Sequence, residues 1–420
     1  MNLNYKSESA HALDASDSLT HFRKKFHIPR HNNQEVAYFC GNSLGLQPKA
    51  VKDYLFQELE DWQNHGVEGH FLAKNPWVSY HEILTEKAAR IVGAKPLEVV
   101  MMNQLTANLH FMMVSFYRPQ GKKYKILTEA KAFPSDQYAV ESQVKFHGYN
   151  PDDAIIEIQP DAGTNYISNQ KILDTINTHK DEIALVFIGG VNYYTGQVFD
   201  MQKIAACCNE NNIAVGFDLA HAAGNIELKL HDWNVDFAAW CTYKYLNSGP
   251  GSVGGVFVHE KHANNFDLPR FTGWWGHDKA MRFKMDKTFI PIAGAEGWQL
   301  SNAPVLSMAA HNAALDIFDE AGIDNLIIKS KKLHQYLRFL MADVIAEKQI
   351  EILTPDSKNE HGCQLSMFAK KDGKKLFDIL TNNGVIADWR EPNVIRIAPV
   401  PLYNSFYDVW RLYDVLKNKS

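Results

Sequence analysis

Several residues able to do chemistry fall just after short apolar runs. FDLAHAAG places Asp218 and His221 past one run, CTYKYLNSGPG places Tyr243 and Lys244 at the end of another, and EAKAFPSD places Phe133 and Asp136 after a third. A lysine amine can form a Schiff base with an aldehyde. A carboxylate can keep a pyridinium nitrogen protonated, so that the ring accepts electrons. An aromatic face can stack on such a ring. Donors at a helix N-terminus suit a phosphate, and NQLTANLHFMMVSFY offers one, with Leu105 and Thr106 opening an apolar-periodic helix. These are the parts of a pyridoxal 5'-phosphate (PLP) site.

Taken singly, each residue has a plainer reading. A lysine beside a strand is usually a solvated charge. Asp218 alone could cap a helix, His221 could be a hydrogen-bonded core histidine, Phe133 could be core, and GPGSVGG could be only a turn. Lys244 follows Asp218 by 26 residues, which leaves room for one crossover between adjacent strands.

The elements that must position these residues alternate. YKILTE at 124–129, ALVFIGG at 184–190, IAVGFDLA at 213–220, DFAAWCTY at 236–243 and SVGGVFVH at 252–259 read as buried strands, and QKIAACCNENN at 202–212 as a helix. That alternation predicts an α/β fold with a mostly parallel central sheet covered on both faces. Ligands bind such sheets at the carboxyl ends of the strands. A first helix is expected from Pro48 through AVKDYLFQELEDWQNHG. After SNAPVLSMAAHNAALDIFDEAG the pattern changes to a long helix, about 324–347, then IEIL, QLSMFA, a helix in KKLFDILTNNG, VIRIAPV and a last helix in SFYDVWRLYDVLKN. The expected division is an N-terminal segment at 1–40, a large domain at 41–310 and a small α+β domain at 311–420, with the last boundary inside a helical stretch.

Composition bounds the function class. The chain has 420 residues, 45% of them hydrophobic, and a net charge of -5, so no basic excess points to nucleic acid. Neither a signal-type apolar segment nor a run long enough to span a bilayer is seen, and a cytoplasmic location is expected. The five cysteines form no C-x-x-C pair and the 18 histidines no H-E-x-x-H, so no metal site is expected.

The chain resembles the kynureninase family over nearly its whole length. The matching segments include YFCGNSLGLQPK, HFLAKNPW, NQLTANLH, KILTEAKAFPSDQYA, YYTGQ, VGFDLAHAAGN, LHDWNVDFAAWCTYKYLNSGPG, GWWGH, RFKMD, SNAPVL and RIAPVPLYNSF. D-L-A-H-A-x-G-N followed by YKYLN is the most specific of them. The resemblance implies a fold-type I PLP enzyme, usually a homodimer with active sites shared across the interface. It implies that Lys244 carries the cofactor, Asp218 faces the pyridine nitrogen and His221 lies beside the ring. Phe133 stacks on the ring, and Pro134, Ser135 and Asp136 belong to the same cofactor loop. Leu105, Thr106 and Tyr243 are phosphate-side contacts, and Tyr243 is a candidate proton relay. Trp274 and Asn302 reach the site from the other subunit. Arg396 clamps the substrate α-carboxylate, a task that suits the paired donors of a guanidinium.

The family resemblance also places Ser43, His70, Trp275 and Asn302 around the substrate's aromatic end. His70 and Asn302 match members that act on 3-hydroxykynurenine, and both could hydrogen-bond a ring hydroxyl. The expected reaction is hydrolytic Cβ–Cγ cleavage of kynurenine or 3-hydroxykynurenine to anthranilate or 3-hydroxyanthranilate and L-alanine, in tryptophan catabolism or NAD biosynthesis. Two rival readings share the Asp–His–Lys frame. One is another fold-type I activity such as a cysteine desulfurase, for which Cys363 is the least poor nucleophile. The other is a catalytically silent binding protein.

Overall fold

The apolar runs become a sheet buried on both faces. In the computed structural model, which describes residues 3–357 and 359–419, it has seven strands. They are β1 (Val99–Met101), β2 (Lys125–Glu129), β3 (Ile155–Ile158), β4 (Ile183–Gly189), β5 (Ala214–Asp218), β6 (Phe237–Trp240) and β7 (Gly255–Val258). Their spatial order is β1-β7-β6-β5-β4-β2-β3. The run from β3 to β6 is parallel throughout, while β7 lies antiparallel to both β6 and β1. The α/β architecture with a mostly parallel sheet is therefore present.

Successive side chains of a strand point to opposite faces, and the two faces have separate cores. Ile126, Leu185, Phe187 and Phe237 pack under the helices Leu105–Phe116 and Pro134–Phe146. Leu127, Val186, Phe217 and Ala238 pack under Glu82–Val92, Asn169–His179 and Met201–Glu210. β5 and β6 are neighbours, as the spacing of Asp218 and Lys244 allows. The crossover between them is a chain of turns and not a regular helix.

Three short strands carried no readable pattern: β1, β3 and Asp388–Arg390 have only three or four residues each. The first long helix begins at Val51 and not at Pro48. The backbone at 47–49 is already committed, since His27 N donates to Gln47 O at 2.9 Å and Lys49 N to Lys25 O at 2.8 Å.

The C-terminal part is a four-stranded antiparallel sheet ordered Ile350–Ile352, Leu365–Ala369, Val394–Ile397, Asp388–Arg390. Helices Ile323–Met341, Gly373–Asn382 and Phe406–Asn418 accompany it. Ser405 and Asp408 form a reciprocal capping box at the start of the last helix, which contributes about 1 kcal/mol. The N-terminal segment joins this part. Ala37–Tyr38 pairs in parallel with Val385–Ile386, and Ala10, Ala37 and Phe39 sit in its core. Residue 311 lies within the continuous helix Val305–Ala321, and apolar packing passes from one core to the other between Leu326 and Leu333. Residues 1–2 and 420, the ends of the expected division, lie outside the described residues.

β5 must approach β6 closely. A Cβ on Gly216 would lie 2.0 Å from the Phe237 ring, its ladder partner. That ring is itself stacked on Phe116. Gly216→Ala is expected to destabilise the fold by about 1–3 kcal/mol through overpacking. Denaturant unfolding measures it, and an unchanged midpoint would contradict this packing account.

Candidate active site

β2, β4 and β5 end at Glu129, Gly189 and Asp218, side by side at the carboxyl edge of the sheet. A cavity of about 230 Å³ opens there, lined among others by Thr106, Phe133, Ser135, Asp218, His221, Tyr243 and Lys244. Lys244 is not on a strand. It sits in a turn beyond β6, closed by a hydrogen bond from Asn247 N to Lys244 O at 3.0 Å, with Asn247 at φ 58°. Its buried Nζ donates to His221 Nε2 at 2.9 Å. Nζ also lies 5.8 Å from the ring centre of Phe133 and 5.9 Å from that of Tyr243.

Burial, followed by the charge of Lys244, holds the His221 imidazole well below its ordinary range, so the ring is neutral. An ammonium has no acceptor, so Nε2 receives and the ring proton sits on Nδ1. That Nδ1 is buried and has no hydrogen-bond partner among the described residues. Asp218 Oδ1 accepts from Ala220 N at 2.7 Å, which aims the carboxylate. Asp136 stands against it on the first turn of Pro134–Phe146. Burial first, then the charge of Asp218, pushes the Asp136 carboxyl far up. Burial raises Asp218 too, but the Lys244 charge opposes this. The pair therefore holds a proton on Asp136 and leaves Asp218 as the anion nearer the lysine. Glu129 is a third buried carboxyl. It accepts from Gly189 N at 3.1 Å and is pushed up to about 7, chiefly by burial.

The opposite side of the cavity suits an anion. The helix Leu105–Phe116 points its first turn there, with Leu105, Thr106 and Ala107 at the wall. Its first N–H groups have no intrahelical acceptors. Thr106 Oγ1 and Ser135 Oγ lie 2.6 Å apart. Ser252 Oγ, also at the wall, is buried without a partner among the described residues. A lysine amine, a buried carboxylate, an aromatic face and open donors at a helix start, together with the unpaired His221 Nδ1 and Ser252 Oγ, match PLP in charge and polarity.

Arg396 is not in the wall of this cavity and connects to Phe133 through Tyr193. Its Nη1 donates to Tyr193 O at 2.7 Å, and the Tyr193 ring meets the Phe133 ring edge-on at 5.2 Å. Arg396 Nε donates to Asp388 Oδ1 at 3.1 Å, and Ser43 Oγ donates to Asp388 Oδ2 at 2.6 Å. Sequence reasoning passed over Asp388, Tyr193, Glu129 and Ser252. Glu129 closes a predicted strand and was findable by the same strand-end rule that singled out Asp218. Asp388 had no such signal, because it is a charge on a three-residue strand.

Other expected residues stay outside this cavity within one chain. Pro134 is exposed at its helix start. His70 bonds through Nδ1 to Val67 O at 2.9 Å, and Asn302 is exposed. Trp274 donates to Arg282 O at 2.9 Å, and Trp275 is buried against the Arg282 guanidinium. Two carboxylate–histidine groups lie elsewhere. In His81–Glu82–Glu296, Lys279 Nζ already lies 2.9 and 2.8 Å from the two carboxylates and fills the place of a cation. In Glu98–His231–His259, both nitrogens of His259 are engaged by backbone.

The chain is similar to known proteins in both sequence and fold. A family model described as "Kynureninase C-terminal domain" matches residues 326–416. A protein of Flavobacterium psychrophilum named kynureninase is 55% identical over 412 residues, covering 98% of this chain and 97% of its own. One of Myxococcus xanthus, named likewise, is 53% identical over 416 residues, covering 99% and 97%. Among solved structures, the apo cysteine desulfurase of Thermococcus onnurineus superposes with a TM-score of 0.73 at 16% identity, covering 91% of this chain and 94% of its own. A C-DES variant with glycine covalently linked to its PLP cofactor superposes with a TM-score of 0.77 at 17% identity, covering 94% and 99%. At that identity the structures share the fold alone. The full-length relatives go further, and the chain belongs to the kynureninase family.

Proposed function

We propose that this chain uses water to cleave the Cβ–Cγ bond of a kynurenine, releasing an anthranilate and L-alanine, with 3-hydroxykynurenine as the preferred substrate, in tryptophan catabolism or NAD biosynthesis. The observation that carries the reading is the buried Lys244 amine, held by a neutral imidazole beside an aromatic face, in one cavity with the Asp218 carboxylate. PLP is the cofactor; when bound, it supplies an aldehyde that condenses with amines and a ring that takes up electrons from the substrate. Lys244 would be the amine that holds the cofactor, and its Nζ would move the substrate α-proton. Asp218 would hold positive charge on the ring, and Phe133 would offer its face to it. Burial keeps the Tyr243 phenol well above its usual range, so it is neutral and able to donate a proton where water adds to the γ-carbonyl. Arg396 takes the α-carboxylate, while Thr106, Ser135, Ser252 and the helix start face the phosphate.

The preference for the 3-hydroxy substrate rests on His70 and Asn302, which are polar, accessible at the surface and away from the Lys244 cavity of their own chain. A homodimer supplies that arrangement. Phe71, Phe283 and Trp274 are 56%, 52% and 47% exposed, and the Phe283 ring meets both of the others. Aromatic side chains clustered in water mark an interface, and this cluster adjoins His70 and Trp275. The proposed division at about residues 40 and 310 remains part of this reading, with the small part closing on the cavity.

The desulfurase alternative has the fold in its favour but not the nucleophile. Cys363 is fully buried and its thiol is pushed up to about 12 by burial, the opposite of a mobile thiolate. Production of an aromatic amine with alanine supports our reading; sulfide with alanine would defeat it.

Three outcomes are expected. Lys244→Ala abolishes turnover and the visible absorbance of the bound cofactor, and retention of full activity would overturn the assignment. Steady-state kinetics give a kcat/KM at least ~10-fold higher for 3-hydroxykynurenine than for kynurenine, the worth of one well-placed hydrogen bond; a preference for kynurenine would refute the finer claim. Sedimentation finds a dimer that Phe283→Glu converts to monomer with loss of activity, whereas a fully active monomeric wild-type chain would exclude shared sites.

A further inference from the structure

Arg396 is buried, and its surroundings do more than bury it. On neighbouring antiparallel strands, Asp388 and Arg396 are ladder partners. Asp388 Oδ1 lies 3.1 Å from Arg396 Nε and 2.8 Å from Nη2, and also 3.1 Å from Arg390 Nε. Asp388 Oδ2 takes the Ser43 hydroxyl at 2.6 Å. One carboxylate thus meets two guanidiniums, which leaves one positive charge in excess beside the buried Arg396. Nη2 carries two N–H donors, and Asp388 Oδ1 can take only one of them. A ligand carboxylate would take the other and balance the excess charge.

We propose that Asp388 is a positioning residue for substrate recognition: with Tyr193 O it grips Arg396 from one side, with Ser43 it is itself held, and Arg390 supplies the second charge that makes this place select a carboxylate. This rests on the reading of Arg396 as the α-carboxylate site. Asp388 does not touch the substrate. It fixes the plane of the guanidinium through Nε and Nη2, which leaves the second N–H of Nη2 for the ligand. Ser43, from the segment that precedes the large sheet, and Arg396, from the C-terminal sheet, are thereby locked to one another. Losing Asp388 would let two guanidiniums repel and Arg396 turn.

The test uses the holoenzyme, with L-kynurenine as substrate and kynuramine, the same molecule without the α-carboxylate, as a competitive inhibitor. Asp388→Asn is expected to raise KM at least ~10-fold, the usual scale for a charge-assisted bond, with kcat falling less than ~3-fold and the kynuramine inhibition constant nearly unchanged. Ser43→Ala, which keeps every charge, should shift KM the same way by less, and it carries the test if Asp388→Asn does not fold. Equal weakening of kynurenine and kynuramine would mean general loosening and overturn the proposal. So would an unchanged KM in both variants while Arg396→Ala raises it. If Arg396→Ala itself leaves KM unchanged, the carboxylate reading fails, and that failure is distinct from the previous one.

Discussion

An amine buried beside a neutral imidazole is the constraint around which this molecule is arranged. Lys244 Nζ cannot stay in a desolvated cavity without a partner for its hydrogens and an anion for its charge. His221 Nε2 gives the first and Asp218 the second. Asp136, kept protonated by burial against Asp218, hydrogen-bonds without adding a second negative charge. The parallel sheet follows from this need, because parallel strands bring several carboxyl-end residues to one edge, where antiparallel neighbours would send alternate ends away. β7, the strand that runs the other way, lies on the far side of β6 from Asp218.

In the proposed site, recognition of the substrate would use different material than the grip on the cofactor. The cofactor side would use the large sheet and its helix starts. The carboxylate side would use the C-terminal sheet and Ser43, joined through Asp388. Tyr193 connects the two, since its ring meets Phe133 and its carbonyl holds Arg396.

The large sheet was legible because its inner strands are mostly apolar over four to seven residues, and two of them end in a carboxylate, Glu129 and Asp218. Looking after those runs was enough to find Lys244, Asp218, His221 and Phe133. What escaped did so for physical reasons. β1 and β3 are too short to show a period. Asp388 meets Arg396 through strand register, a property of pairing that spacing along the chain does not reveal. Ser252 hid in a glycine-rich loop that reads equally as a turn. His70, Trp274 and Asn302 were singled out from family resemblance alone; within one chain they lie away from the cavity, so no intrachain pattern could have marked them.

The pairing of Ala37–Tyr38 with Val385–Ile386, and the packing of Ala10 and Phe39 with Leu412 and Leu416, has a consequence for the order of synthesis. A ribosome adds roughly 5–20 residues per second. The earliest segment must wait roughly half a minute, at a mid-range rate, before its partners emerge. During that time the large sheet can form, while Ala37–Tyr38 has no partner strand to dock on. Ala37 and Phe39, buried in the finished fold, stay uncovered until the C-terminal sheet is made.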